Sequence, residues 1–215
     1  MRLATWYPDR IDGVVFDMDG VLADTEPIHG LAFLDVLAEY GVVATNEDYV
    51  WTVGRGSDEI WQGVQDRWQI ADSIQILATS FERCLLPRLL HVVPAPGAIA
   101  FVEDLRCAGV PIALASSSSR RIVDQTLRVL GLEAAFAATI AGSEGGPPKP
   151  HPAIYLAAAA GLGAGPARCV AIEDSVPGME SARAAGMTVV AIRNRYLEGE
   201  PPADVVIDSL EELLE

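Results

Sequence analysis

Hydrophobic positions along the chain form two alternating kinds of run. Short, continuously apolar stretches occur at Gly13 to Phe16, Pro111 to Ala115, Ala138 to Ala141, Cys169 to Ile172, Thr188 to Ile192 and Asp204 to Ile207. Strands covered on both faces read this way, because neither set of alternate side chains meets water. Between them, helical patterns run over Gly97 to Ala108, Arg120 to Leu130, Pro152 to Ala160 and Pro177 to Ala185. Strand alternating with helix predicts an α/β fold, a parallel sheet with helices on both faces.

One stretch departs from that rhythm. From Asp24 to about Val93 only helical patterns occur, over Pro27 to Tyr40, Asp58 to Gln69 and Ser73 to Leu90. About 70 residues thus separate the first strand from the second, and Pro94-Ala-Pro96-Gly97 marks the return. The expected organisation is a core of residues 1–23 and 94–215 with a helical cap over residues 24–93. Trp51, Trp61 and Trp68 are expected inside the cap rather than at a ligand.

Composition narrows the function classes. Of 215 residues, 30 are acidic and 15 are Lys or Arg, a formal net charge of −15. That balance argues against nucleic acid or an anionic membrane as partner. Half the residues are hydrophobic, enough to offset chain ordering, so disorder is not expected. Cys84, Cys107 and Cys169 are widely spaced and fit reduced thiols in a cytoplasmic protein. Met1 to Arg10 carries Trp6, Pro8 and Asp9 where a signal peptide has its apolar stretch. No window approaches the ~18 uninterrupted apolar residues of a membrane span. A soluble, cytoplasmic monomer is expected. The last twenty residues hold seven acids and no base, which reads as a solvated helix face.

The cations carry a sharper hint. Fourteen are arginines and one, Lys149, is a lysine. Biased composition alone could give that ratio, yet a lone Lys also suits a site needing a compact ammonium instead of a planar fork.

Candidate chemistry is sought after each strand, since open parallel sheets bind ligands beyond their carboxyl ends. The first strand is followed by Asp17-Met-Asp19-Gly20, the second by Ser116-Ser-Ser-Ser119, and the fourth by Glu173-Asp174-Ser175. Lys149 lies in the loop before the Pro152 helix. Singly, each piece has a plain reading: an Asp in an Asx turn, a Ser at an N-cap, Pro177 at a helix start. Together, four carboxylates on one edge repel unless a cation compensates. Hard oxygen donors without His or Cys nearby point to Mg²⁺.

These motifs resemble the haloacid dehalogenase superfamily. The carriers are Asp17-x-Asp19-Gly, the Ser116 run, Lys149-Pro150 and Glu173-Asp174-Ser175-x-x-Gly178. Asp24-Thr-Glu-Pro-x-His29 and the cap placement are similar to its β-phosphoglucomutase-like branch. The resemblance implies a Rossmann-like doubly wound core and a phosphatase acting on a small phosphorylated metabolite of sugar-phosphate type. It implies Asp17 as nucleophile, forming an aspartyl-phosphate, and Asp19 as general acid and base. Mg²⁺ would be held by Asp17, the Asp19 carbonyl and Asp174, with Glu173 in support. Ser116, Ser117, Lys149 and the backbone near Asp19 would hold the phosphoryl oxygens.

A second Asp argues against dehalogenation, because a halide leaves without a proton and an alkoxide does not. His29 keeps a phosphosugar mutase open. The mutases' cap loop reads Gly-x-x-Arg, however, and here Gly54-Arg55-Gly-Ser57 places Ser57 in that register. His29, Arg55, Arg83 and Arg88 are the candidate cap residues for substrate selection. A signalling receiver domain would place its phosphoacceptor on a middle strand and lacks such an insert. A catalytically silent, phosphate-binding relative would not need every catalytic position filled.

Overall fold

The computed structural model describes residues 11–214 apart from 54, 143 and 198. The expectation for Met1 to Arg10 lies outside the described residues. In chain order the strands are β1 (Gly13–Phe16), β2 (Ala23–Asp24), β3 (Val93–Pro94), β4 (Ile112–Ala115), β5 (Ala138–Ile140), β6 (Cys169–Glu173), β7 (Thr188–Ile192) and β8 (Val205–Ile207). Six of them form one sheet, ordered β5-β4-β1-β6-β7-β8, with every neighbouring pair parallel. β1, β4 and β6 are buried along their whole length, as their unbroken apolar runs require.

Side-chain alternation divides the core into two layers. Val14 and Phe16 join one cluster, with residues of α5 (Ala98–Cys107) and α6 (Arg120–Leu130). Val15 joins the other, with α7 (Ala153–Leu162) and α8 (Val176–Ala184). Helices therefore cover both faces. Register fixes the functional edge: Phe16 pairs with Leu114 on one side and Ile172 on the other. The next residues, Asp17, Ala115 and Glu173, thus emerge level with one another.

The inserted segment holds α1 (Glu26–Glu39), α2 (Asn46–Val50), α3 (Ser57–Trp68) and α4 (Ile74–Arg88). Phe33 anchors its interior, stacked on Trp61 at 6.0 Å and meeting Trp68 edge-on. The Trp51 ring packs where Gly63 leaves room, since a Cβ there would lie 2.6 Å from it. Where the chain leaves and re-enters the core, β2 and β3 pair antiparallel, Asp24 opposite Val93.

Three features differ from the sequence reading. The β2–β3 ribbon is two residues long, too short to show a period. α2 escapes a periodicity test too, although its Thr45–Asp48 capping box, with the Thr45 N–H donating to Asp48 at 2.8 Å, has a readable sequence signature. The acidic tail is not a solvated helix face. It supplies β8 and a single 3₁₀ turn, Leu210–Leu213, whose two leucines are buried while Glu211 and Glu212 face solvent. That turn packs against Gly97, where a Cβ would meet the Glu211 nitrogen at 2.5 Å. Among the described residues all three cysteines are free, and no helix is long and apolar enough to cross a membrane.

Candidate active site

Asp17 leaves β1 with its N–H donating to the Ile172 carbonyl at 2.9 Å, which fixes its carboxylate at the sheet edge. The Lys149 Nζ donates to Asp17 Oδ1 and to Glu173 Oε1, each at 2.6 Å. Its side chain is 8% exposed, Asp17's 10%, and Glu173's not at all. One ammonium thus bridges two buried carboxylates from different strands.

Glu173 is surrounded by donors. Besides Lys149, its Oε1 accepts from the Tyr155 hydroxyl at 2.9 Å. Its Oε2 accepts from the N–H groups of Asp174 and Ser175 and from the Ser175 hydroxyl, all at 2.9 Å. Glycines make room for this crowding. A Cβ on Gly178 would lie 1.7 Å from Glu173 Oε1, and one on Gly20 would lie 1.9 Å from Asp174 Oδ2. Gly20 also has φ of +76°, a conformation that favours glycine.

The charges are far from neutral. Asp17, Glu173 and Asp174 each bring a carboxylate oxygen within 4.8 Å of the others. Burial lifts the Asp17 carboxyl to about 7, with Glu173 and Asp19 adding to the effect and Lys149 opposing it. Burial and the neighbouring carboxylates, Glu173 foremost, push Asp174 well above the usual range. Glu173 is also penalised by burial, but Lys149 and its hydrogen-bond donors outweigh that and hold it low. For Lys149 the two carboxylates overcome burial and raise its pKa.

Asp19 lies one step further toward the insert. Its Oδ1 accepts from the Thr25 hydroxyl at 2.7 Å and its Oδ2 from the Ser118 hydroxyl at 2.9 Å. His29 Nε2, on α1, is buried 3.6 Å from Asp19 Oδ1 and has no hydrogen-bond partner among the described residues. Ser116 is fully buried, and its Oγ accepts the Ser118 N–H at 3.1 Å, while Ser117 is exposed.

The residues selected from sequence therefore divide. Asp17, Lys149, Glu173 and Asp174 form one cluster, and Asp19 with His29 borders it. Arg55 does not join them: its guanidinium donates to the Trp51 carbonyl at 2.7 Å, pairs with Glu59 and lies over the Trp51 ring. Gly54 of the same loop lies outside the described residues. Arg83 and Arg88 are likewise committed elsewhere, to Glu39 and Asp35, in a groove between α1 and α4. Long cations in an acidic chain found partners on neighbouring helices. His151 is structural, its Nδ1 accepting from the Ala153 N–H at 3.2 Å.

Two neighbours of the cluster, Tyr155 and Asn194, lie outside the motifs quoted from the sequence, whereas Thr25 and Ser118 lie within them without a role of their own. Asn194 lies just past β7 and donates to Asp174, so the strand-end rule applied to one more strand points to it. Tyr155 carries no signal, being one apolar position of α7.

A phosphoryl group could be received at such an edge, and comparison with known proteins agrees with that chemistry. Residues 11–186 match the haloacid dehalogenase-like hydrolase family, and the chain belongs to it. Hexitol phosphatase B of Escherichia coli K12 is 33% identical over 218 residues, covering 96% of each chain. The crystal structure of CbbY from Rhodobacter sphaeroides in complex with phosphate superposes with a TM-score of 0.84 at 27% identity, over 94% of this chain and 96% of that one. A variant of the same CbbY is known in complex with xylulose-1,5-bisphosphate. A β-phosphoglucomutase from Clostridium difficile, 24% identical, shares the fold at a TM-score of 0.82 over 94% of this chain and 93% of that one. Two plant relatives are much longer, the chain spanning 18% of one and 53% of the other. Within this family the chain is a phosphoric monoester hydrolase.

Proposed function

We propose that the chain is a Mg²⁺-dependent phosphatase of a small, sugar-type phosphomonoester, working through an aspartyl-phosphate on Asp17. The observation that carries this reading is the buried Lys149 bridge between Asp17 and Glu173, with Asp174 beside it. With all three carboxylates ionised against one ammonium, two negative charges remain, the deficit that one divalent cation balances. The donors are hard oxygens, which suit Mg²⁺. Asp17, Asp174 and the Asp19 carbonyl would hold the ion, with Glu173 in support. When bound, it offsets the negative charge gathered by the carboxylates and the phosphoryl group.

The chain's own residues do the rest. Asp17 attacks phosphorus and the ester P–O bond breaks, while Asp19 delivers a proton to the departing alkoxide. Asp19 then takes a proton from water as its oxygen attacks the aspartyl-phosphate, which restores both carboxyl groups. The hydrogen bonds from Thr25 and Ser118 aim Asp19 for both steps. Lys149 keeps Asp17 oriented and, with Ser116, Ser117 and backbone N–H groups, receives the phosphoryl oxygens. Residues 24–93 act as the cap over the core of residues 1–23 and 94–215, screening the intermediate. A sugar-type substrate accords with the names of hexitol phosphatase B and with the CbbY complex.

His29 beside Asp19 favours a second reading, a phosphosugar mutase. Against it, Ser57 stands where the mutases carry Arg, and Arg55 is tied to Trp51 and Glu59. Incubation with small phosphomonoesters, and with β-glucose 1-phosphate plus a bisphosphate primer, separates the two. Phosphatase action gives Mg²⁺-dependent free phosphate; glucose 6-phosphate without free phosphate would establish the mutase.

A further inference from the structure

We infer that Asn194 is a positioning residue for Asp174 and so sets the protein's affinity for a divalent cation. This rests on the metal reading above and adds a residue to it that lies outside the four motifs.

Asn194 stands two residues past the end of β7, and its amide is fully engaged. The Nδ2 donates to the Asp174 backbone carbonyl at 2.8 Å and to Asp174 Oδ2 at 3.0 Å. The Oδ1 accepts the N–H groups of Tyr196 and Leu197 at 2.9 and 3.1 Å. Two N–H groups on one side of the amide require its oxygen there, so the NH₂ must face Asp174. The arrangement is an Asx turn whose spare donor end has been given to the active-site edge.

Asp174 is thereby fixed from three directions. Its N–H donates to Glu173 Oε2, its carbonyl accepts from Asn194, and its Oδ2 lies between the Asn194 amide and the bare Cα of Gly20. That restraint opposes a real force. Asp17, Asp19, Glu26 and Glu173 all bear on this carboxylate with like charge, and in the absence of a donor it would turn away from them. Asn194 is the one side-chain donor to the Asp174 carboxylate among the described residues. Removing such an outer partner of a metal-binding side chain typically weakens the metal by about 10- to 100-fold.

The test uses two variants of the whole chain. Asn194→Ala removes both the turn and the donor. Asn194→Ser keeps an acceptor able to close a turn but is too short to reach Asp174. Mn²⁺ binding to the metal-free proteins is measured by calorimetry without substrate, and Mg²⁺ dependence of turnover is measured separately. Both variants should bind Mn²⁺ about 10-fold more weakly, recover kcat at saturating Mg²⁺ and keep the parental KM for substrate. A purely structural role would lower kcat irrecoverably and spare neither constant. Parental Mn²⁺ affinity in both variants overturns the inference. So does a deficit confined to Asn194→Ala, which would assign the effect to the turn. A parent protein that binds no Mn²⁺ instead overturns the metal reading itself, and this inference with it.

Discussion

Replacing Lys149 by Met removes the only ammonium of the cluster while keeping a long, flexible apolar stem. Two carboxylates then lose their cation, Glu173 with no exposed side-chain surface and Asp17 with 10%. Removing one partner of a buried ion pair costs about 3–5 kcal/mol, because the remaining charge is left uncompensated. Five donors serve Glu173 in the parent, and four survive in the variant, so the lower half of that range applies at that position. Asp17 has no comparable reserve. For a chain of this length each kcal/mol lowers the midpoint by about 2–4 °C, giving a loss of about 6–20 °C.

The loss depends on pH in a definite direction. Glu173 is held below its usual range, so its contribution is present above its unfolded pKa of about 4.3 and vanishes as pH falls through the lower folded value. Without Lys149 both carboxyls can escape the penalty by taking protons. The variant's deficit should therefore be larger at about pH 8 than at about pH 5.5. Thermal unfolding followed by circular dichroism, in metal-free buffer at both pH values, measures it. A midpoint within about 2 °C of the parent at pH 8 would refute the claim that Lys149 compensates buried charge. Lys149→Arg keeps the charge and should lose less stability, yet it should lose turnover because a planar fork cannot bridge the same two oxygens.

Neighbouring contacts give further expectations. Tyr155→Phe deletes a buried hydrogen bond to Glu173 and should cost about 1.5–3 kcal/mol in denaturant unfolding, with the slope unchanged. Gly20→Ala drives a Cβ into Asp174 and strains a positive φ, so calorimetry should show weakened Mn²⁺ binding together with a lower midpoint. Because Asp17 is raised to about 7, the folded metal-free protein favours its protonated form, and stability should fall as pH rises from about 4 to about 7. A divalent cation competes with that proton, so the Mg²⁺-induced rise in midpoint should grow over the same interval; a rise that is flat with pH would contradict this.

Much of the architecture is legible in the sequence because burial on both faces leaves an unmistakable mark. β1, β4, β6 and β7 are continuous apolar runs, and the ends of the first three deliver Asp17, Ser116 and Glu173 to the site. Lys149 stands out as the lone lysine in an arginine-rich chain. The serine run is located correctly by its strand, but its members are not told apart. Only the fold shows that Ser118 reaches Asp19 while Ser116 turns its oxygen to the backbone. Arg55, Arg83 and Arg88 are misplaced by the sequence reading for one physical reason. A flexible cation is steered by the nearest carboxylate, and sequence does not show which helix face brings one close. Tyr155 owes its role to the packing of α7 within reach of Glu173 on β6, which no pattern in the sequence marks, whereas Asn194 does follow a strand and only its partner is hidden.

The central claim is that Asp17 itself receives the phosphoryl group. Rapid acid quench of the enzyme turning over a small sugar phosphate with Mg²⁺, followed by peptide mass mapping, tests it directly. A phosphoryl group is expected on the peptide bearing Asp17, absent without Mg²⁺ and absent in Asp17→Asn, which should also release no phosphate. Phosphate release that persists in Asp17→Asn, or a phosphoryl group found on another residue, would contradict it.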